Sequence, residues 1–192
     1  MTIPYMANAL TQSKTVYDGK LFTVRHEPRT IADGQTVLYE RAYRYPSVAA
    51  VAYMSPSRII LLREWRALNN AWEWRLPWGR IDNEEAAPTP RFERIPMPIL
   101  RTAMQRELQE EAGYRARTLR LIYQRYSGAS IVAPTYLFAA HGLTPSHLPQ
   151  DIDEKIEVHT VSLIRAARMG LTGEIPEEFM GLALVRLAKK ML

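Results

Sequence analysis

The stretch Arg106-Glu107-Leu108-Gln109-Glu110-Glu111-Ala112-Gly113-Tyr114, or RELQEEAGY, contains three glutamates within five residues and then reaches a glycine. In a helix, Glu107 and Glu111 stand one turn apart on the same face, and Glu110 lies beside them. Like charges at this spacing repel each other, and glutamates in a last turn also meet the negative end of the helix dipole. Because these residues do not stabilise the helix, another requirement must account for them.

An amphipathic helix is predicted around this stretch, beginning after Pro98. Gly113 suits its C-terminal cap, since glycine adopts the left-handed conformation there without strain. Apolar residues recur at every fourth position and form a ridge that packs on a core. This ridge consists of Leu100, Met104, Leu108 and Ala112.

Three interpretations of the glutamates remain open from the residues alone. The first is a solvent-facing acidic surface that nearby arginines neutralise. The second is a general acid and base pair, although glycoside cleavage needs carboxylates on opposite sides of a cleft. The third is a site for a hard cation, because Mg²⁺ and Mn²⁺ prefer oxygen ligands and two glutamates one turn apart can hold such an ion.

The rest of the chain predicts a sheet packed against helices. A hairpin is predicted over residues 21–45, with its turn at Asp33-Gly34, and a final helix over residues 176–192. Strands in irregular order with two helices favour a mixed sheet over a doubly wound parallel fold. Residues 1 to about 14 and the proline-rich residues 86–98 are predicted to be irregular. Further strands are predicted at residues 48–54, 58–65, 72–76, 119–126, 135–140 and 156–162.

Length and composition exclude several classes of protein. The chain has 192 residues, 47% of them hydrophobic and 23% charged, which suits one domain with a small appendage. Apolar runs stay well below the roughly 18 residues that span a bilayer, and the first residues do not resemble a secretory signal. We therefore expect a cytoplasmic protein with no membrane partner. With no cysteine in the chain, any metal must be held by oxygen or histidine.

The charge of the chain indicates an anionic partner or a solvated basic surface. The net charge is +5 and the pI is about 9.6. The arginines are scattered, so the sequence does not predict a nucleic-acid-binding arm, and we do not expect a nucleic-acid partner. Phosphorylated small molecules are also attracted by such a field and clamped by guanidinium groups.

RELQEEAGY resembles the second half of the Nudix box, G-x5-E-x7-R-E-U-x-E-E-x-G-U, in which U is a bulky apolar residue. Gly79 and Glu85 match the first half. Where the family has seven residues before the arginine, this chain has twenty, residues 86–105, so thirteen extra residues interrupt the box. Because the entropy of loop closure grows slowly with length, the insertion need not disturb the helix.

The surroundings of the box are similar to the ADP-ribose pyrophosphatase branch of that family, over residues 20–192. The matching motifs are LLREWRA, WRLPWGRID, YSGAS and DEKIEV. One departure is Arg75-Leu76-Pro77-Trp78-Gly79, where the branch commonly reads E-L-P-A-G. The resemblance implies an α/β/α sandwich with a mixed sheet over residues 46–192. It also implies an N-terminal β-strand extension over residues 1–45 that helps to form a homodimer.

The resemblance also implies an activity, the hydrolysis of a pyrophosphate bond in a nucleoside diphosphate derivative such as ADP-ribose or another nucleotide sugar. Glu107 and Glu111 match the main ligands of Mg²⁺ or Mn²⁺ in the family. Glu110 matches a third ligand, and the backbone carbonyl of Trp78 a fourth. Arg106 matches a residue that orients the glutamates.

Further residues are implied outside the box. Glu154 is the best match for the group that activates or positions water, and Asp151 and Asp153 are the other candidates. Arg66, and with a weaker match Arg41, corresponds to an arginine that contacts the phosphates. Two other functions remain open: a Nudix-type nucleotide- or RNA-binding module without turnover, and a pyrophosphohydrolase of RNA 5′ ends.

Overall fold

The computed structural model describes residues 13–81, 95–125, 129–150 and 154–190. The strands in these ranges are β1 (Lys14–Asp18), β2 (Phe22–Thr30), β3 (Thr36–Arg44), β4 (Ser47–Ser55), β5 (Arg58–Arg66), β6 (Ala71–Arg75), β7 (Trp78–Arg80), β8 (Tyr114–Arg125), β9 (Ile131–Val132), β10 (Thr135–Pro145) and β11 (Ile156–Ser162). The helices are α1 (Met97–Glu107), which continues into a π-helical turn (Leu108–Ala112), α2 (Leu163–Thr172) and α3 (Glu178–Lys189).

A seven-stranded mixed sheet forms the centre of the fold. Its main path has the order β11-β5-β4-β10-β8, while β6 pairs with β5 and β7 pairs with β4. The β4 and β10 strands are parallel, with Ser47 opposite Thr135, and the other pairs are antiparallel. The mixed sheet predicted from the order of the elements is confirmed.

Both faces of this sheet are buried. Along β4, Val48, Ala50 and Ala52 face a core that includes residues of α1. The alternate residues Ala49 and Val51 face a second core, formed with α2 and α3. Because side chains alternate between the faces of a strand, burial of both faces produces the continuous apolar runs of β4 and β5. The result is an α/β/α sandwich.

The α1 helix and its π-helical turn hold the acidic stretch against one face of the sheet. All four members of the predicted apolar ridge are buried. Pro98 lies in the first turn, where its missing N–H is not needed, and Gly113 caps the end with a φ of 74°. The π-helical turn covers Glu110 and Glu111, so the i, i+4 geometry expected for an α-helix is altered there.

A separate four-stranded sheet contains the N-terminal strands, in the order β1-β2-β3-β9. The predicted hairpin is confirmed, and Gly34 has a φ of 86° in its turn. The β9 strand comes from residues after β8 and pairs in parallel with β3. The N-terminal sheet is therefore completed by a segment distant in the sequence.

The sequence does not predict four elements: the short strands β7 and β9, and β1 and α2. Residues up to 14 were expected to be irregular, but β1 begins at Lys14 and pairs with β2. The α2 helix follows β11 without a turn, so its start was hidden; the signals were Ser162, whose hydroxyl accepts a hydrogen bond from the N–H of Arg165, and the C-terminal Gly173. Most of the predicted proline-rich loop lies outside the described residues, as do Glu85, Asp151 and Asp153. Within the described ranges, no helix has the length and apolar character needed to cross a bilayer.

Candidate active site

Glu107 and Gly79 are packed against each other. Gly79 lies in β7 opposite Val48 of β4. A Cβ atom added to Gly79 would lie 1.8 Å from Cδ of Glu107 and within 2.0 Å of both carboxylate oxygens. The carboxylate therefore fills the space that a side chain at position 79 would occupy. The loop glycine and the helix glutamate of the sequence motif therefore meet here in three dimensions.

The carboxylates of Glu107 and Glu111 are buried, and their charge is costly. Burial, with the charge of Glu111 next in size, raises the pKa of Glu107 to about 8. Burial also raises the pKa of Glu111 to about 7, against the opposing effects of Arg75 and the N–H of Trp78. The charge of Glu154 contributes to raising both pKa values, so that this residue acts on the same site. Such perturbed carboxylates are typical of functional sites.

Arg106 holds two of the glutamates. Its Nη2 lies 2.9 Å from Oε1 of Glu107, and its Nη1 donates a hydrogen bond of 2.7 Å to Oε2 of Glu110. Nη2 also donates to the backbone carbonyl of Arg80 at 3.1 Å. Because the guanidinium is anchored to β7 as well as to α1, Arg106 sets the position of the glutamates relative to the loop glycine.

Arg75 contacts the remaining glutamate of the box. Its Nη2 donates to Oε1 of Glu111, its Nε is ion-paired with Oε2 of Glu64, and its Nη1 donates to the Trp78 carbonyl at 2.9 Å. The second oxygen of Glu111 accepts the N–H of Trp78 at 2.9 Å. Arg75 was not predicted as a site residue. The available signal was the departure from E-L-P-A-G at its position.

The residues around Glu107 fit a hard cation, whereas those around Glu111 already contact the guanidinium of Arg75. Among the described residues, no three acidic or histidine side chains converge as ligands of one ion. Glu107 is buried and its pKa is raised even though Arg106 lies beside it, so a cation there would relieve uncompensated charge. Glu111 and the Trp78 carbonyl, both predicted ligands, are already engaged by Arg75.

A cleft of about 340 Å³ lies next to Gly79. Four arginines from separate parts of the chain line it together with Arg75: Arg44, Arg66, Arg80 and Arg125. Trp74 and Trp78 contribute aromatic surface. Guanidinium groups are suited to bind phosphate in a bidentate manner, and indole rings offer flat faces for a base or a sugar. The cleft is therefore suited to an anionic ligand with a planar or apolar part.

Arg66 and Arg41 have different surroundings. Arg66 lines the cleft; its Nη1 donates to Oε1 of Glu64 at 3.0 Å, and its side chain is 48% exposed. Arg41 lies in β3 and is not among the described residues of the cleft wall. Its guanidinium donates to the Ala129 carbonyl at 2.8 Å and to Glu27 at 3.3 Å. Of the two arginines predicted to contact phosphates, Arg66 lines the described part of the cleft and Arg41 does not.

Glu154 lies two residues before the start of β11. The N–H of Trp65 in β5 donates to the carbonyl of Lys155 at 3.0 Å, which ties this part of the chain to the central sheet. The influence of Glu154 extends to Arg75, whose pKa it helps to raise. Chain segments more than forty residues apart therefore meet at the site.

Besides Arg75, three arginines of the cleft were not predicted from the sequence: Arg44, Arg80 and Arg125. Arg125 is the best defined of them: its Nη1 donates to Glu177 at 2.7 Å, and its Cζ lies 6.0 Å from the Trp78 ring centre. Arg44 and Arg80 each end a strand that reaches the cleft. Their spacing in the sequence carries no motif, because strands distant along the chain bring them together.

Comparisons with known proteins agree with this architecture. No family model matches the chain. A crystal structure of an ADP compounds hydrolase has a TM-score of 0.72 with this chain, at 24% identity, and the similarity covers 94% of this chain and 91% of that one. The Nudix-type α/β/α fold predicted from the sequence is thereby confirmed. A relative from Streptomyces rubellomurinus, CMP-5'-(N-acetyl-N-hydroxy-3-aminopropyl)phosphonate hydrolase, is 28% identical over 163 residues, which are 83% of this chain and 72% of the relative.

Proposed function

We propose that this protein is a Mg²⁺- or Mn²⁺-dependent pyrophosphohydrolase of a nucleoside diphosphate derivative, with ADP-ribose or a related nucleotide sugar as its substrate class. The observation that carries the proposal is the buried Glu107, packed on Gly79 beside a cleft lined with arginines. Burial of a carboxylate without full compensation is costly, and a site that binds a cation and phosphates makes use of it.

The names of the similar proteins support this class of reaction. One is a hydrolase of ADP compounds, and the other is a hydrolase of a CMP-linked phosphonate. Both substrates join a nucleoside monophosphate to a second group. The products expected here are a nucleoside monophosphate and a phosphorylated partner such as a sugar phosphate.

The residues of this chain have separate parts in the proposed reaction. When bound, the divalent ion supplies positive charge to the phosphoryl oxygens. Glu107 and Glu110 would hold that ion, and Arg106 keeps their carboxylates in place. Arg66 and the other arginines of the cleft bind the phosphates and orient the bridging oxygen.

Glu154 is our candidate for the group that removes a proton from the attacking water. The new bond forms between the water oxygen and phosphorus, and the bond from that phosphorus to the bridging oxygen breaks. The bridging oxygen leaves with the second phosphate. The charge of Glu154 acts on Glu107, Glu111 and Arg75, which supports a position close to the reaction.

A substrate panel tests the proposal. ADP-ribose, other nucleotide sugars, a CMP-linked phosphonate, dinucleoside polyphosphates and triphosphorylated RNA would each be incubated with Mg²⁺ or with EDTA, and the products separated by chromatography. We expect AMP from ADP-ribose only with the metal, and a loss of about 100-fold or more in Glu107→Gln. Glu174→Gln, which changes an exposed glutamate after α2, is the matched control and should keep full activity.

Binding of nucleotide or RNA without any metal-dependent cleavage would contradict the proposal and favour a binding module. Cleavage of triphosphorylated RNA alone would keep the chemistry and replace the substrate class.

We also propose a homodimer formed through the N-terminal sheet. Several of its large apolar side chains are exposed, including Tyr17 at 59%, Leu38 at 61% and Ile131 at 54%. Apolar side chains exposed together mark an interaction surface. Light scattering should give twice the mass of one chain, and Leu38→Glu should reduce it. Leu171→Glu, at a leucine of α2 that is 73% exposed, should leave the mass unchanged. A monomeric unmodified protein would contradict the proposal.

A further inference from the structure

Arg75 is a buried cation inside the group of predicted metal ligands. Its exposure is 9%, and its side chain lies between Glu64 and Glu111, which are 5% and 2% exposed. Its Nη2 and Nη1 donate hydrogen bonds to a carboxylate oxygen of Glu111 and to the Trp78 carbonyl, and its Nε is in ion-pair contact with a carboxylate oxygen of Glu64. Two of these three partners are residues that the sequence predicts as metal ligands.

The charges near the box divide into two groups. On one side, Arg75 is paired with Glu64 and Glu111, and Arg66 is paired with Glu64. On the other side, two carboxylates among the described residues, those of Glu107 and Glu110, share the guanidinium of Arg106. Two of the predicted ligands, an oxygen of Glu111 and the Trp78 carbonyl, are therefore already in contact with a buried cation.

We propose that Arg75 is a resident cation of the site, which takes the place of one divalent ion at Glu111 and leaves the Glu107 side to bind the ion that the reaction requires. This inference rests on the proposed function, since it assigns the charges of that same site. Arg75 acts through Glu111 and the Trp78 carbonyl, so it is a positioning residue.

The geometry explains why an arginine is suited to this role. A guanidinium is planar and remains charged when buried, and its fixed fork can satisfy several oxygens at once. Oxygen ligands held by such a fork do not need a metal to orient them. The position of the Trp78 carbonyl, one residue before Gly79, is thereby set before any ion binds.

The number of bound Mn²⁺ ions tests the inference without an activity measurement. Free and bound Mn²⁺ would be counted by electron paramagnetic resonance on the metal-free full chain, for the unmodified protein and for Arg75→Met. We expect Arg75→Met to bind one additional Mn²⁺ per chain, because Glu111 and the carbonyl become available. Combining it with Glu111→Gln should remove that additional ion.

Arg63→Met is the matched control. Arg63 lies on β5 and pairs with Glu157 at 3.6 Å, and it is not among the described residues that line the cleft. The substitution removes the same charge from the protein but no contact to the predicted ligands. The number of Mn²⁺ ions bound by Arg63→Met should therefore equal that of the unmodified protein. An increase in this control would mean that net charge alone sets the count.

Two outcomes would overturn the inference: an unchanged Mn²⁺ count in folded Arg75→Met, or an Arg75→Met chain that stays unfolded even in excess Mn²⁺. The second outcome counts because the inference requires that a divalent ion can replace the guanidinium. If Glu107→Gln binds as many Mn²⁺ ions as the unmodified protein, the proposed function itself fails. Failure of the proposed function can thus be told apart from failure of the inference about Arg75.

Discussion

Replacing Gly79 by alanine should remove activity while leaving the fold intact. The added Cβ would lie 1.8 Å from Cδ of Glu107, whereas real Cβ contacts are essentially never shorter than 3.0 Å. The carboxylate must therefore move by about 1.2 Å or more, the difference between these distances. A displacement of roughly 1 Å in a catalytic group costs on the order of 100-fold in rate.

The stability of Gly79→Ala should change little. Gly79 is not among the residues with positive φ, so alanine fits its backbone, and replacing a strand glycine gains about 0.5–1 kcal/mol. The displaced carboxylate is the end of a flexible side chain, so its movement offsets only part of this gain. We expect unfolding temperatures within a few degrees of each other.

The assay combines Mg²⁺-dependent ADP-ribose hydrolysis with thermal unfolding. Gly34→Ala is the control with the opposite result: nothing lies within 4 Å of its new Cβ, but φ is +86°. It should lose about 1–2 kcal/mol of stability and keep its activity. If Gly79→Ala retains full activity and the same Mn²⁺ affinity, the packing of Glu107 on Gly79 does not shape the site.

Three more predictions concern other features. Because the pKa of Glu107 is raised, the folded protein binds more protons than the unfolded chain between about pH 4.5 and 8. The free energy of unfolding without metal should therefore fall as the pH rises through this range. Urea unfolding in EDTA would show this loss, and the loss should be smaller in Glu107→Gln. Arg125→Ala should raise KM about tenfold with little change in kcat, measured by steady-state kinetics, because it lines the cleft. A Cβ on Gly170 would lie 2.5 Å from Cα of Gly181, so Gly170→Val should destabilise the α2–α3 contact by about 1–3 kcal/mol in thermal unfolding, whereas an unchanged stability would contradict that close approach.

Local patterns in the sequence account for much of the architecture. The apolar runs of β4 and β5 predict buried strands because every side chain of a central strand meets a core on one face or the other. The ridge that starts at Leu100 and the cap at Gly113 predict α1 because they depend on residues within a few turns. The α2 helix escaped prediction because it follows β11 directly, and its caps are weak signals without a preceding turn.

Part of the candidate site was also accessible from the sequence. Arg106 and Glu110 are four residues apart, so their contact follows from helical spacing. The contact of Arg106 with the adjacent Glu107 does not follow from it. Their relation to Gly79 was available through the resemblance to a known motif. The position of Arg41 in the N-terminal sheet was not, since it depends on contacts with Glu27 and Ala129 far along the chain.

The sequence by itself determined the acidic helix, its glycine end and the apolar runs of the central strands, because these depend on neighbours along the chain. Only the tertiary structure decided that Arg75 lies between Glu64 and Glu111, and that arginines from several strands line one cleft. The physical reason is that burial and ion pairing depend on which strands become neighbours in the sheet. The pairing of β4 with β10, about ninety residues apart, has no local signature.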